Sequence, residues 1–290
     1  MEGVMIKSPG YIAIAVRKKN KIIVKKERLK KRPRFFRWLF VRGIVNLIDI
    51  LVLGIRALAW SAEQQAEKKE DKITKLEMIF TLLVSIGFAI LIFVIAPYFI
   101  AYLAGFREET RPVLFNLIDG IIKIGFFILY LIIISLMKDV KRLFQYHGAE
   151  HKAVYCYESN KELTIKNARR FSTLHPRCGT SFLFIVLIVS ILVFSVLPSL
   201  VIYLYHGFMS LNFWSRRIIL VMLRILVIPV IAGIGYELLK LSSRFEKNFF
   251  VKALIMPGLL VQKLTTRKPR SRQIEVALRA LKEVLRSEKS

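Results

Sequence analysis

His147, Glu150 and His151 carry the most direct chemistry in this chain. They stand in the stretch Phe144-Gln145-Tyr146-His147-Gly148-Ala149-Glu150-His151-Lys152, in a sequence of 290 residues with four histidines. On a helix, residues four apart lie one turn apart on the same face, so the two imidazoles point the same way. Glu150 lies about 60° round the axis from His147. Imidazoles so spaced hold one divalent metal ion, zinc foremost, while the carboxylate binds the ion or takes a proton from water. A second cluster follows, His175-Pro176-Arg177-Cys178-Gly179-Thr180. It adds an imidazole and a thiolate, which makes His147, His151, His175 and Cys178 the four candidate metal ligands. Together they make a closed structural site; with one displaced, a position opens for water.

The order His-x-x-Glu-His also matches the inverted zinc-protease pattern, in which a distant carboxylate completes the ligands. Glu237 is such a carboxylate, at the end of an apolar segment that returns to the side of the clusters. The third ligand is therefore open among His175, Cys178 and Glu237, and in each case Glu150 is the natural base for water. Glu158 is a candidate partner that orients a histidine. Pro176 holds His175 in extended backbone, and Gly179 lets the chain turn into the next apolar segment. Against this stands a plain reading: interfacial histidines satisfy nearby carbonyls, and an unbound Cys178 is a small buried thiol.

Four apolar segments position these clusters. Met78–Phe106 has no charged residue over 29 positions, long enough to cross a bilayer with tilt, and Pro97 predicts a kink. Val113–Met137 carries Asp119 and Lys123, which are i,i+4 partners that neutralise each other or line a polar path. Ser181–Tyr205 and Ile218–Tyr236 follow, the last with Arg224 inside it. Residues 44–60 are apolar but interrupted by Asp49 and Arg56, which predicts an interfacial or re-entrant helix. Tyr11–Arg17 and Lys21–Lys26 read as a β-hairpin. Lys138–His151 reads as a continuation of the second span's helix. Phe249–Val261, broken by Pro257-Gly258, reads as interfacial. Ser271–Glu288 reads as a helix with Ser271 as N-cap and a stripe of Ile274, Ala277, Leu278, Leu281 and Leu285 that docks on the protein or the membrane.

The fold class is thus an all-α membrane protein: about four transmembrane helices, interfacial helices, a small N-terminal hairpin and a C-terminal helix. Its divisions are a basic hairpin and arm over 1–42, an interfacial helix and connector over 43–76, and a four-span domain over 77–248 with the His/Cys loop at 138–181. An interfacial segment with the amphipathic helix, 249–290, completes it. The chain is 55% hydrophobic yet carries a net charge of +27, with its basic residues flanking apolar runs. That is the pattern of a membrane protein and argues against nucleic acid as partner. Lys and Arg number fourteen in 1–42, nine in 138–181 and thirteen in 240–290, against none in 206–215. The positive-inside rule then puts both termini and the His/Cys loop in the cytoplasm, with the protein in the cell membrane. The N-terminus shows no signal-peptide pattern. Two cysteines in a reducing compartment exclude a disulfide framework. The lipid bilayer and its anionic headgroups are the expected partners. Asp119, Lys123 and Arg224 need non-lipid neighbours, which self-association or a membrane-protein partner would also provide.

The motifs together resemble the YqhQ-like family of bacterial membrane proteins, a family of unknown function labelled as predicted metal-dependent enzymes. The resemblance runs along nearly the whole chain. It rests on Glu2-Gly3-Val4-Met5, Arg42-Gly43, Ser61-Ala62, the His147 stretch, and His175 to Thr180. Tyr236-Glu237, Pro257-Gly258-Leu259 and Gln262-Lys263-Leu264-Thr265-Thr266 complete it. The N-terminus departs from it in lacking a Gly-Gly-rich lead, as in a shortened or incomplete end. The resemblance implies a multi-span protein with a metal site and supplies no substrate. The leading expectation is a metal-dependent hydrolase at the inner leaflet. The alternatives are a scaffold, chaperone or assembly factor with a structural metal, and a transporter or channel lined by Asp119, Lys123 and Arg224.

Overall fold

The computed structural model describes residues 2–30, 33–65, 74–108, 110–244 and 248–289. It has two parts, a bundle of long apolar helices and a mixed α/β body at one end of it. The body begins with three antiparallel strands in the order β1 (Gly3–Lys7), β2 (Tyr11–Lys18) and β3 (Lys21–Arg28). The expected hairpin is β2–β3, closed by Lys19-Asn20 with Lys19 at φ 51. The pattern did not give β1. Its five residues follow Met1-Glu2 and end before Ser-Pro-Gly, too short for an alternation to show, and pairing with β2 defines it.

One face of this sheet packs on α10 (Ser271–Lys289) and α5 (Lys138–Glu158). Val4, Ile6, Ala13 and Ala15 meet Tyr146, Ala149, Ala153, Ile274, Ala277, Leu278 and Leu281 in one core. The α10 stripe thus docks on protein. Ser271 is the first residue of α10 rather than its cap; the Arg270 N–H donates to the Gln273 side chain instead.

Five helices are long and apolar enough to cross a membrane: α1 (Val41–Gln65), the run Leu76–Leu103, α4 (Pro112–Leu136), α7 (Gly179–Leu204) and α8 (Phe213–Arg244). The chain is therefore a membrane protein of mainly helical fold with a small N-terminal sheet. Leu76–Leu103 consists of α2 (Lys75–Ile90), a π-helical turn at Leu91–Ile95 and α3 (Ala96–Leu103). The π turn absorbs Pro97, which has no N–H to give to the turn before it. Thr74 and Glu77 cap α2 reciprocally. α7 packs on α4 and α8, and α9 (Phe249–Thr265) packs on α7.

The structure corrects three expectations. α1 is one continuous helix of 25 residues, longer than the 44–60 segment. The second span does not run on into the His helix: Met137 is extended (ψ 134), α4 stops, and α5 starts afresh at Lys138. No Gly or Pro marks that break. Pro257-Gly258 does not break α9, which runs through both as a single helix. The connector expected over 61–75 falls in part on residues 66–73, outside the described residues.

Within the bundle, the Lys123 ammonium bonds the Asp119 carboxylate as its i,i+4 partner. Arg224 bonds Glu108 at 2.8 Å and Asn116 at 2.9 Å, and Arg217 also bonds Glu108. Glu108 is thus a buried anchor for α8.

Candidate metal centre

α5 carries the imidazole pair, and the turn into α7 carries the thiol. His147 Nε2 lies 3.2 Å from Cys178 Sγ. One donor atom each from His147, His151 and Cys178 fall within 4.8 Å of one another. A tetrahedral zinc, with Zn–N of about 2.0–2.1 Å and Zn–S of about 2.3 Å, sets its donors roughly 3.5 Å apart. The His147–Cys178 separation of 3.2 Å is already close to that spacing, and the donor set, two imidazoles and a thiol, suits such an ion.

The protonation of both histidines follows from their partners. His147 Nδ1 lies 2.8 Å from the Thr265 carbonyl, and His151 Nδ1 lies 2.5 Å from the Thr173 carbonyl. A carbonyl only accepts, so each Nδ1 carries a proton, which in the neutral ring leaves the lone pair on Nε2. Cys178 caps α7, its sulfur accepting from the Thr180 N–H at 3.4 Å with the Thr180 hydroxyl at 3.1 Å.

His175 stands beside this triad, outside it. Its Nδ1 accepts from the Arg177 N–H at 3.2 Å and its Nε2 donates to Glu158 at 3.1 Å, so both nitrogens are engaged. Burial holds its pKa below the ordinary value, against the pull of Glu158. Tyr155 covers the ring, with centroids 4.4 Å apart. Glu158 therefore does face a histidine, and it binds Arg177 as well. Glu237 lies elsewhere: it pairs with Arg42 and lines a different cavity, with Phe40 and Lys240.

Glu150 lines a cavity of about 210 Å³ together with His147, His151, Glu158, His175, Arg177 and Cys178, so His175, outside the triad, still faces the same space. Burial raises its pKa above the usual carboxylate range, and His147 opposes the shift. Space is open at Gly179, where an added Cβ would meet nothing within 4 Å.

Four supporting groups escaped the sequence reading. Gln262 is fully buried and joins the two strands of the turn: it accepts from the His175 N–H at 2.7 Å and donates to the His175 carbonyl at 2.8 Å and the Ser181 hydroxyl at 2.7 Å. Thr265 and Thr173 act through their carbonyls, which no side-chain pattern announces. Gly148 lets residue 267 pass: a Cβ there would lie 2.3 Å from the Arg267 carbonyl oxygen. The available signal was the run Gln262 to Thr266, polar residues in an otherwise apolar helix.

The family described as "Protein of unknown function (DUF1385)" matches residues 38–287. The chain belongs to this family. A relative described as "Uncharacterized protein YqhQ", from Bacillus subtilis (strain 168), is 34% identical over 268 residues, covering 86% of this chain and 77% of the relative. No solved structure matches. The resemblance seen in the motifs thus holds at the level of family, and the family's description names neither metal nor reaction.

Proposed function

We propose that the protein is a metal-dependent hydrolase of the bacterial inner membrane, with a zinc-like ion held by His147, His151 and Cys178 at the cytoplasmic leaflet. The observation that carries this reading is the pair of Nδ1–carbonyl bonds, which aim two lone pairs and a thiol at one point beside Glu150. Three protein ligands and an open fourth position are the arrangement of catalytic rather than structural zinc. An ion there would supply Lewis acidity toward a carbonyl or phosphoryl oxygen and toward water.

The residues do the rest. Glu150 forms no hydrogen bond or ion pair among the described residues, so its carboxylate is free to take a proton from water in the cavity. A raised pKa brings it nearer to the working range of a general base. Arg177, half exposed at the rim, suits an anionic substrate group. Basic flanks on this side would draw anionic headgroups toward the pocket, and the Lys/Arg asymmetry of the loops supports a cytoplasmic position for this side.

Metal analysis of the purified protein tests the reading. We expect close to one equivalent in the unmutated protein, near none in His147→Ala and His151→Ala, and full content in Glu150→Gln. No metal in the unmutated protein after incubation with zinc would remove the proposal.

The 3.2 Å contact between His147 and Cys178 favours a second reading, a cysteine nucleophile with His147 as its base and the Thr265 carbonyl as orienter. Alkylation separates the two. A metal-held thiol is protected from iodoacetamide until a chelator is added, whereas a nucleophilic one reacts at once.

A further inference from the structure

α1 has the length and composition of a membrane span, yet the contacts of the body exclude it as one. The sheet shares a single core with α5 and α10. Two elements in one core lie on one side of a membrane, so an even number of crossings separates them along the chain. Between the sheet and α5 stand three span-like segments: α1, Leu76–Leu103 and α4. Three crossings would tear the sheet from α5. Between α5 and α10 stand two, α7 and α8, which returns the chain correctly.

One of the three therefore does not cross, and the contacts say which. Asp49 of α1 bonds Lys7 at the end of β1 at 3.0 Å. Ala57 is buried against Ile14 and Val16 of β2. The Gln65 amide donates to the Arg17 carbonyl at 2.8 Å. These three contacts span about 24 Å of helix at 1.5 Å per residue. α1 thus stays beside the sheet, and a crossing α1 would drag the sheet with it, including Lys21, Lys25, Lys26 and Arg28 of β3.

We infer that α1 lies in the membrane surface on the side of the His147 cluster, with its outer face in the acyl boundary of that leaflet. That face is apolar and exposed: Ile48, Leu51, Val52, Ile55 and Leu58 recur at helical spacing. Lipid is the occupant that the surroundings specify. The face is continuous with the exposed Trp38, Leu39 and Phe40 at one end, and Gly43 seats that end against Gly233 and Tyr236 in the C-terminal half of α8. The sheet, packed on α1's inner face, keeps that face from lipid. A helix with a lipid face and a protein face lies in the interface plane. The bundle then crosses four times, and α1 is a float that sets the height of the α/β body above the lipid.

Single cysteines in the full-length protein test this in sealed vesicles of known sidedness, with a membrane-impermeant maleimide. Cys156 and Cys178 are buried, and their labelling in the unmutated protein is subtracted. Glu63→Cys should label from the same face as Arg279→Cys, several-fold above Ser210→Cys, the reference for the opposite face. A bimane on Leu51→Cys should be quenched more by a lipid with its spin label high on the acyl chain than by one labelled low. Labelling of Glu63→Cys from the Ser210 face, deeper quenching at Leu51, or no quenching by either lipid would each overturn the inference. None of these readouts involves metal, so their failure leaves the hydrolase proposal to its own test.

Discussion

The two ends of the bundle use buried polar groups in opposite ways. At the end near Pro112, charges consume one another: Glu108 takes Arg217 and Arg224, Asn116 takes Arg224, and Asp119 takes Lys123. At the end near Cys178, backbone carbonyls take the Nδ1 protons and leave two lone pairs, a thiol and a carboxylate aimed at a shared cavity. In the far cluster each charge holds an opposite one, though Asp119 Oδ1 and Arg224 Nε keep no hydrogen bond; in the near cluster the rings are fastened from behind by neutral carbonyls. On that ground the far cluster reads as structural and the near one as chemical, although both hold scarce polar residues in an apolar chain.

Substitutions separate the two ends. Glu108→Ala leaves two partly buried guanidinium groups without their carboxylate, and we expect a loss of about 1–3 kcal/mol with metal content unchanged. Thermal midpoints in detergent, paired with metal analysis, check it. A fall in metal content would break the contrast. Gln262→Ala, at the other end, orphans the buried N–H and carbonyl of His175. We expect a loss of about 2–3 kcal/mol, and here the metal should go with it, because the turn that presents Cys178 loosens. Gly148→Ala drives a methyl into the residue 267 carbonyl, for a loss of about 1–3 kcal/mol and weaker metal retention under chelator. Glu150→Gln should change the midpoint least, by under about 0.5 kcal/mol, and on the hydrolase proposal it would abolish turnover. A large loss of stability there would place Glu150 among the fasteners.

Much of this was legible in the sequence, for reasons that differ by element. The spans stood out because lipid demands unbroken apolar runs, and α10 because a 3.6-residue stripe over nineteen positions has few other meanings. The His147–His151 pair was legible because an i,i+4 spacing fixes geometry locally. The choice among His175, Cys178 and Glu237 was not, since it depends on which acceptor each imidazole meets. His175 is diverted by Glu158 and a backbone N–H, and Glu237 by Arg42, a partner 195 residues away. β1 was hidden because five residues make too short an alternation. The break at Met137 was hidden because tertiary packing, rather than a breaker residue, sets it.

The His147 proton is held by a carbonyl that lies 118 positions later in the chain. While the polypeptide is being made, α5 emerges with its imidazoles long before α9 exists. A cation met at that stage would find rings free to spin and to choose either tautomer. On the metal proposal, selective loading therefore waits for α9 to leave the ribosome and settle over α5: a chain truncated ahead of residue 265 would keep the Thr173 carbonyl for His151 and lose the one that aims His147.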